Sequence, residues 1–171
     1  LKVESNPQIE IDKNSIQIAN QKFNILNTKI NILLGIGGSG PTKRIPADKF
    51  KKFISLVIKD HECTFYLATG KDQEEQVILK DILSSYKDFC VALDNYSISE
   101  ILPIIKSCKI SICNDSSFSH LSAALNVPTI VLMSDTPLLY GSYSSNMYPI
   151  VPDGIENVSH NSRGKEKINP E

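Results

Sequence analysis

The chain has 171 residues, 18 Lys plus Arg against 19 Asp plus Glu, and a formal net charge of −1. Hydrophobic residues make up 41% and charged residues 22%, an ordinary balance for one globular domain with a core of its own. The charge balance argues against a protein that depends on bulk positive charge to hold nucleic acid. No run approaches the ~18 apolar residues of a membrane span, and the opening Leu1-Lys2-Val3-Glu4-Ser5-Asn6-Pro7 has no apolar core of a signal peptide. The chain starts without Met, as a fragment or processed form does. Its four cysteines, Cys63, Cys90, Cys108 and Cys113, form no C-x-x-C pair and read as free buried thiols in a reducing compartment.

Residues 1–29 read as a lead-in segment, with a short strand at Gln8 to Ile11 and a helix near Ser15 to Leu26. Regular alternation begins at Ile30. Ile30 to Ile36 is an apolar, strand-like run ending in glycines. Ala47 to Asp60 places Phe50, Phe53, Ile54, Val57 and Ile58 at helical spacing behind Pro46. Cys63 to Ala68 is a second strand, and Gln73 to Tyr86 a helix with Leu79, Ile82, Leu83 and Tyr86 on one face. Phe89 to Leu93 is a third strand. Ser97-Ile98-Ser99-Glu100 is a capping box, and the helix it opens carries Pro103 in its early turns. Lys109 to Cys113, Ser116 to Leu125 and Pro128 to Met133 follow as strand, helix and strand.

Five such alternations with short connections and continuously apolar strands specify an α/β fold: a Rossmann-like parallel sheet with helices on both faces. Residues 30–152 form this domain. From Thr136 the pattern dissolves, and residues 153–171 read as a polar, mobile tail.

Ligands of such sheets bind at the carboxyl ends of the strands, where strand order reverses. In the order 3-2-1-4-5 that point lies between the first and fourth strands. The loop after the first is Gly35-Ile36-Gly37-Gly38-Ser39-Gly40-Pro41-Thr42-Lys43-Arg44. It contains G-x-G-x-x-G, but Pro41 and Pro46 delay the helix that a dinucleotide site needs, and Pro41 stands where a P-loop needs Lys. What remains is a flexible backbone with free N–H groups and a cation, Lys43, which suits phosphate or pyrophosphate. The loop after the fourth strand, Cys113-Asn114-Asp115-Ser116-Ser117-Phe118-Ser119-His120, opens a helix at once. Hydroxyl residues at a helix start aim backbone N–H groups at an anion, and Asp115 at the strand tip can accept from ligand hydroxyls. Taken singly, each feature has a plain structural alternative: a solvated turn for Lys43, ordinary capping for Ser116 and Ser117, a packed His120.

Together these segments resemble the donor-binding half of glycosyltransferase family 9, the lipopolysaccharide heptosyltransferases. Gly37-Gly38-Ser39-Gly40-Pro41-Thr42-Lys43-Arg44-Ile45-Pro46 is similar to the family's glycine/serine loop with Thr-Lys-Arg-Trp-Pro, Ile45 standing for Trp. Asn114-Asp115-Ser116-Ser117-Phe118-Ser119-His120-Leu121-Ser122-Ala123-Ala124 is similar to Asn-Asp-Ser-Gly-x-x-His-Leu-Ala-Ala-Ala, Ser117 standing for glycine. Tyr96-Ser97-Ile98 and Ser107-Cys108-Lys109 fit the stretch before it, and Val127-Pro128-Thr129-Ile130 and Asp135-Thr136-Pro137 the stretch after, with Ser134-Asp135 in place of Gly-Pro. The similarity spans about residues 30 to 142.

The resemblance implies the C-terminal half of a GT-B fold, the domain that binds the nucleotide sugar. It implies inverting, metal-independent transfer without a cofactor. Lys43 would be the catalytic residue, neutralising the leaving diphosphate. Ser39 and Gly40 would touch phosphate through backbone beside Thr42, Glu74 would hold the ribose with Glu75 one register away, and Tyr96 would lie near the base. Asp115, Ser116, Ser117 and His120 would line the pyrophosphate and sugar. The implied partners are a nucleotide-sugar donor, an ADP-sugar, and a lipid-linked or glycan acceptor brought by an N-terminal domain. The implied location is the cytoplasm at the inner face of the inner membrane, with peripheral membrane association of the full-length protein. The alternative from the fold alone is a stand-alone flavodoxin-like or Rossmann-like nucleotide-binding module without transfer activity.

Overall fold

The computed structural model describes residues 6–26, 28–134 and 138–151. The expected polar tail and the loop segment Asp135-Thr136-Pro137 lie outside the described residues. Six strands form one sheet: β1 (Ile30–Gly35), β2 (Cys63–Ala68), β3 (Cys90–Ala92), β4 (Ile110–Asn114), β5 (Thr129–Leu132) and β6 (Met147–Ile150). Their order is β3-β2-β1-β4-β5-β6, and every neighbouring pair is parallel. The reversal of order falls between β1 and β4, where Gly35 faces Cys113 in register.

Five helices connect or flank these strands: α1 (Lys13–Lys22), α2 (Ala47–Asp60), α3 (Gln73–Tyr86), α4 (Ile98–Lys106) and α5 (Ser117–Ala124). The two faces of the sheet separate by strict alternation along β1 and β2. Ile32, Leu34 and Ile36 join Phe65 and Leu67 in a core with Phe50 and Ile54 of α2 and Leu79 and Ile82 of α3. Leu33 joins Tyr66 and Ala68 in the opposite core with Ala19 of α1, Ile101, Ile104 and Ile105 of α4 and Phe118 of α5.

Local sequence chemistry fixes the helix starts. Asp12 caps α1 by accepting from the Ser15 amide at 2.9 Å. Asp72 caps α3 by accepting from the Glu74 amide at 3.0 Å. Ser97 and Glu100 form the capping box of α4, and that helix runs through Pro103, its sixth residue, at the loss of the one intrahelical bond its N–H would have made to the Ser99 carbonyl.

Four features depart from the sequence expectation. No strand forms at Gln8 to Ile11. The Ile9 amide instead donates to the Ala124 carbonyl at 2.8 Å, which ties the first segment to the end of α5. The first helix occupies Lys13–Lys22 and stops at Phe23, where Asn24 takes a left-handed φ of 48°. Ala19 and Ile25 of the lead-in pack into the core, so the segment is structurally continuous with the domain. Finally, a sixth strand, β6, pairs with β5 from Thr129↔Met147 to Leu132↔Ile150. Its Met-Tyr-Pro-Ile sequence hides it: it is short and carries Pro149, which the outer strand of a sheet tolerates because one side has no ladder to break.

Candidate functional site: the crevice between β1 and β4

A cavity of about 810 Å³ opens at the carboxyl ends of the strands. Its walls come from the loops after β1, β2, β3 and β4 and from the first turn of α5. This volume matches the range of small-molecule sites.

The floor is set by close approach of backbones. A Cβ on Gly35 would lie 2.7 Å from the Cys113 sulfur, so β1 and β4 can meet here only without that side chain. A Cβ on Gly37 would lie 3.0 Å from Glu75 Oε1 and 3.1 Å from Thr69 Oγ1. The glycine loop is pinned from three directions. The Gly38 amide donates to Glu75 Oε1 at 2.7 Å, Arg44 Nε donates to the Gly38 carbonyl at 2.8 Å, and Asn114 Nδ2 donates to the Ile36 carbonyl at 2.9 Å.

At the centre, Lys43 Nζ lies 2.7 Å from Asp115 Oδ2, with the side chains 18% and 5% exposed. The loops after β1 and β4 therefore meet through a largely desolvated ion pair, where attraction exceeds that of a surface pair. Ser116 caps α5 without a side-chain capping bond. Its buried hydroxyl has no hydrogen-bond partner among the described residues, and Ser116, Ser117 and Phe118 all line the cavity. His120, half-buried, stands on the same wall with Nδ1 3.0 Å from the Tyr143 hydroxyl. Burial holds its pKa below the usual histidine value, with Asp115 raising it and Lys43 lowering it further. Tyr96, Ile98, Ile101 and Phe118 supply apolar surface to the lining. Among the described residues, no group of three or more His, Cys, Asp or Glu side chains converges as a metal site.

Seven residues singled out from sequence line this one cavity: Ser39, Lys43, Tyr96, Asp115, Ser116, Ser117 and His120. Gly40, Thr42 and Glu74 do not belong to its lining. Two of these are engaged elsewhere. The Gly40 amide donates to the Gly38 carbonyl at 2.8 Å, and the Gly38 amide to Glu75 Oε1. Glu74 is 71% exposed and pairs with Arg44. The carboxylate in the cavity wall is Glu75, which also accepts from the Gly70 amide at 2.7 Å and from Thr69 Oγ1 at 3.2 Å. One residue turns a helix position by about 100°, which puts Glu75 on the buried stripe with Leu79 and Ile82. That signal was available: Glu75, Leu79 and Ile82 follow the i, i+4, i+7 pattern. Arg44 and Asn114 stand within the two motifs with no role that the sequence assigns them, and nothing local marks Tyr143, whose contact with His120 spans 23 residues.

The sequence model described as glycosyltransferase family 9 (heptosyltransferase) matches residues 2–166. The chain is 29% identical over 157 residues to lipopolysaccharide heptosyltransferase 1 of Campylobacter coli, covering 88% of this chain and 45% of that protein. It is 24% identical over 160 residues to lipopolysaccharide heptosyltransferase 2 of Escherichia coli K12, covering 92% of this chain and 42% of that protein. The chain thus spans less than half the length of the curated relatives it matches. Among solved structures, E. coli ADP-heptose lps heptosyltransferase II superposes with a TM-score of 0.74 at 21% identity, covering 96% of this chain and 50% of that one. E. coli heptosyltransferase WaaC with ADP gives 0.66 at 21% identity, covering 91% and 48%. The structural likenesses establish a shared Rossmann-like fold, the half of the GT-B architecture these chains have in common. With the family model matched over nearly its whole length, the chain belongs to glycosyltransferase family 9.

Proposed function

We propose that this chain is the donor-binding half of a family 9 glycosyltransferase and that the β1–β4 crevice holds a nucleoside diphosphate sugar. The observation that carries the reading is the convergence of Lys43, Asp115 and the start of α5 in one cavity at the switch point. A buried ammonium beside a helix N-terminus is an anion site. The diphosphate would take Lys43 Nζ from Asp115 and meet the first-turn amides of α5 and the Ser116 hydroxyl. Asp115, released, would accept from sugar hydroxyls. The base would lie against Tyr96 and Phe118, and Glu75 would face the ribose in place of Glu74.

In transfer, negative charge grows on the leaving diphosphate. Lys43 and the helix N-terminus are fixed groups that stabilise it, and fixed groups need no reorganisation during the step. The donor we propose is ADP-heptose. This rests on the family and on similar E. coli heptosyltransferase structures holding ADP and ADP-2-deoxy-2-fluoro heptose. The acceptor, in lipopolysaccharide core or a similar glycan, would come with a second domain, as the relatives' greater length suggests. Action at the cytoplasmic face of the inner membrane, with peripheral association of the whole protein, is part of the same proposal. Family membership does not favour the stand-alone module.

The test is calorimetry with ADP and adenosine on the chain and on Lys43→Ala. A charge-assisted bond is worth roughly 1.5–3 kcal/mol, so ADP binding falls about 10- to 100-fold while adenosine binding stays within about two-fold. Equal losses for both ligands refute a phosphate role for Lys43. No binding of ADP to the unmodified chain refutes the donor site.

A further inference from the structure

The wall of the crevice carries a pairing that the transfer reading does not use. His120 Nδ1 lies 3.0 Å from the Tyr143 hydroxyl, and the two rings stack with centroids 5.6 Å apart and planes 15° from parallel. The contact joins α5 to the segment between β5 and β6, 23 residues on. Tyr143 is itself anchored. It packs against the apolar cluster of Ala123, Val131, Met133 and Met147 at the β5–β6 side of the sheet. A hydrogen bond and a ring stack at once fix both the direction and the plane of the imidazole.

Position alone does not say what His120 offers a ligand. A neutral imidazole carries one N–H, and the nitrogen that holds it is set by the hydrogen bond at the other. A phenol hydroxyl is acidic and an imidazole nitrogen basic, so the favoured direction is from the Tyr143 O–H to the Nδ1 lone pair. That direction leaves the proton on Nε2. With Nδ1 occupied, Nε2 is the nitrogen left for the cavity, where Lys43 and Asp115 also lie.

We propose that Tyr143 is a positioning residue of the donor site: its hydroxyl donates to Nδ1 and holds neutral His120 in the Nε2–H tautomer, a fixed hydrogen-bond donor for an oxygen of the diphosphate. The proposal rests on the donor-site reading above. Without Tyr143 the ring is free to turn and to place its proton on Nδ1, and the same side chain then presents a lone pair to an anion.

The test begins on the unliganded chain, where it does not depend on any ligand. Two-dimensional ¹⁵N–¹H NMR of the imidazole rings distinguishes the two tautomers. The chain has three histidines, His61, His120 and His160, and His120→Gln identifies the signals by their loss. The expected result is an Nε2–H, Nδ1-accepting His120 in the unmodified chain and a shift toward mixed tautomers in Tyr143→Phe, which keeps ring and stack. Titration with ADP then gives roughly five-fold weaker binding to Tyr143→Phe, the worth of one ordinary hydrogen bond. An Nδ1–H tautomer in the unmodified chain overturns the proposal, as does an unchanged tautomer in Tyr143→Phe. Normal ADP affinity with a lost tautomer preference also overturns it, by showing that the donor is not used. Failure of ADP to bind the unmodified chain would overturn the donor site instead, leaving the tautomer result to judge Tyr143 separately.

Discussion

Glu75→Gln measures how much of the site is held in place by one buried carboxylate. Glu75 is 8% exposed. Its Oε1 takes the Gly38 amide at 2.7 Å, and its Oε2 takes the Gly70 amide at 2.7 Å and Thr69 Oγ1 at 3.2 Å. Glutamine has one acceptor oxygen and one NH₂, so whichever way it lies, one glycine amide faces a donor. Leaving a buried N–H unpaired costs about 1–3 kcal/mol, and losing the charge on the remaining bonds adds about 1 kcal/mol. The expected loss is therefore about 2–4 kcal/mol, or roughly 4–15 °C in Tm at 2–4 °C per kcal/mol for a domain of this size. Glu74→Gln is the control. It differs by one residue and removes the same charge, but its carboxylate is 71% exposed, so the change stays within about 0.5 kcal/mol. Urea denaturation followed by circular dichroism gives both values at constant m, and amide hydrogen exchange at Gly38 and Gly70 locates the loosening. A Glu75→Gln midpoint equal to that of Glu74→Gln would refute the clamp.

Two further outcomes follow from contacts around α1 and α4. The Glu100 carboxyl is held down at about 2, first by Lys22 and then by the Ser97 backbone and side chain. A depressed folded pKa gives stability that is complete above the unfolded carboxylate value and lost as pH falls toward 2, so Tm declines between about pH 4.5 and 2 and Glu100→Gln flattens that decline; an identical slope in the variant rules the contribution out. Phe23 meets the Tyr96 ring edge-on at 4.8 Å, with Lys22 Nζ 4.7 Å from the same ring's centre. Since an aromatic pair is worth about 0.5–1.5 kcal/mol, Phe23→Leu weakens adenosine and ADP alike, by roughly three-fold in calorimetry; a loss confined to ADP would place Tyr96 away from the base.

Much of the fold was legible because its determinants are local and repeated. The helix from Ala47 to Asp60 and the strand from Cys63 to Ala68 occupy the residues that their periodicity marks. The capping box at Ser97 forms as its letters require. The meeting of Lys43 with Asp115, 72 residues apart, was legible for another reason: parallel topology brings the ends of the first and fourth strands together whatever their sequence. What was not legible depends on neighbours that no local pattern encodes. β6 exists because β5 offers it an edge, not because Met-Tyr-Pro-Ile favours extension. Tyr143 meets His120 from the connection between β5 and β6, 23 residues away along the chain. The exchange of Glu74 for Glu75 belongs to neither class, since the helical stripe through Leu79 and Ile82 already marked Glu75 as the inward residue.

The glycines of the loop after β1 also answer a packing need. Four glycines in six residues suggest a phosphate cradle of free amides. In the folded chain, Gly38 gives its amide to Glu75 and Gly40 gives its amide to Gly38. The need for glycine is steric: Gly35 lets Cys113 approach, and Gly37 admits Glu75 and Thr69. The loop's contribution to anion recognition is therefore to deliver Lys43, through the short 3-10 turn Pro41–Lys43, to a point 2.7 Å from Asp115. On the proposed reading, recognition of negative charge falls on two unlike groups from opposite sides of the switch point, a side-chain ammonium and a helix N-terminus. The ammonium is paired with Asp115 until an anion displaces it, whereas the partial positive charge of the helix N-terminus is built into its backbone. Both groups then favour phosphate charge, so affinity is expected to rise from adenosine to AMP to ADP in calorimetry, and equal affinities for the three would refute the reading.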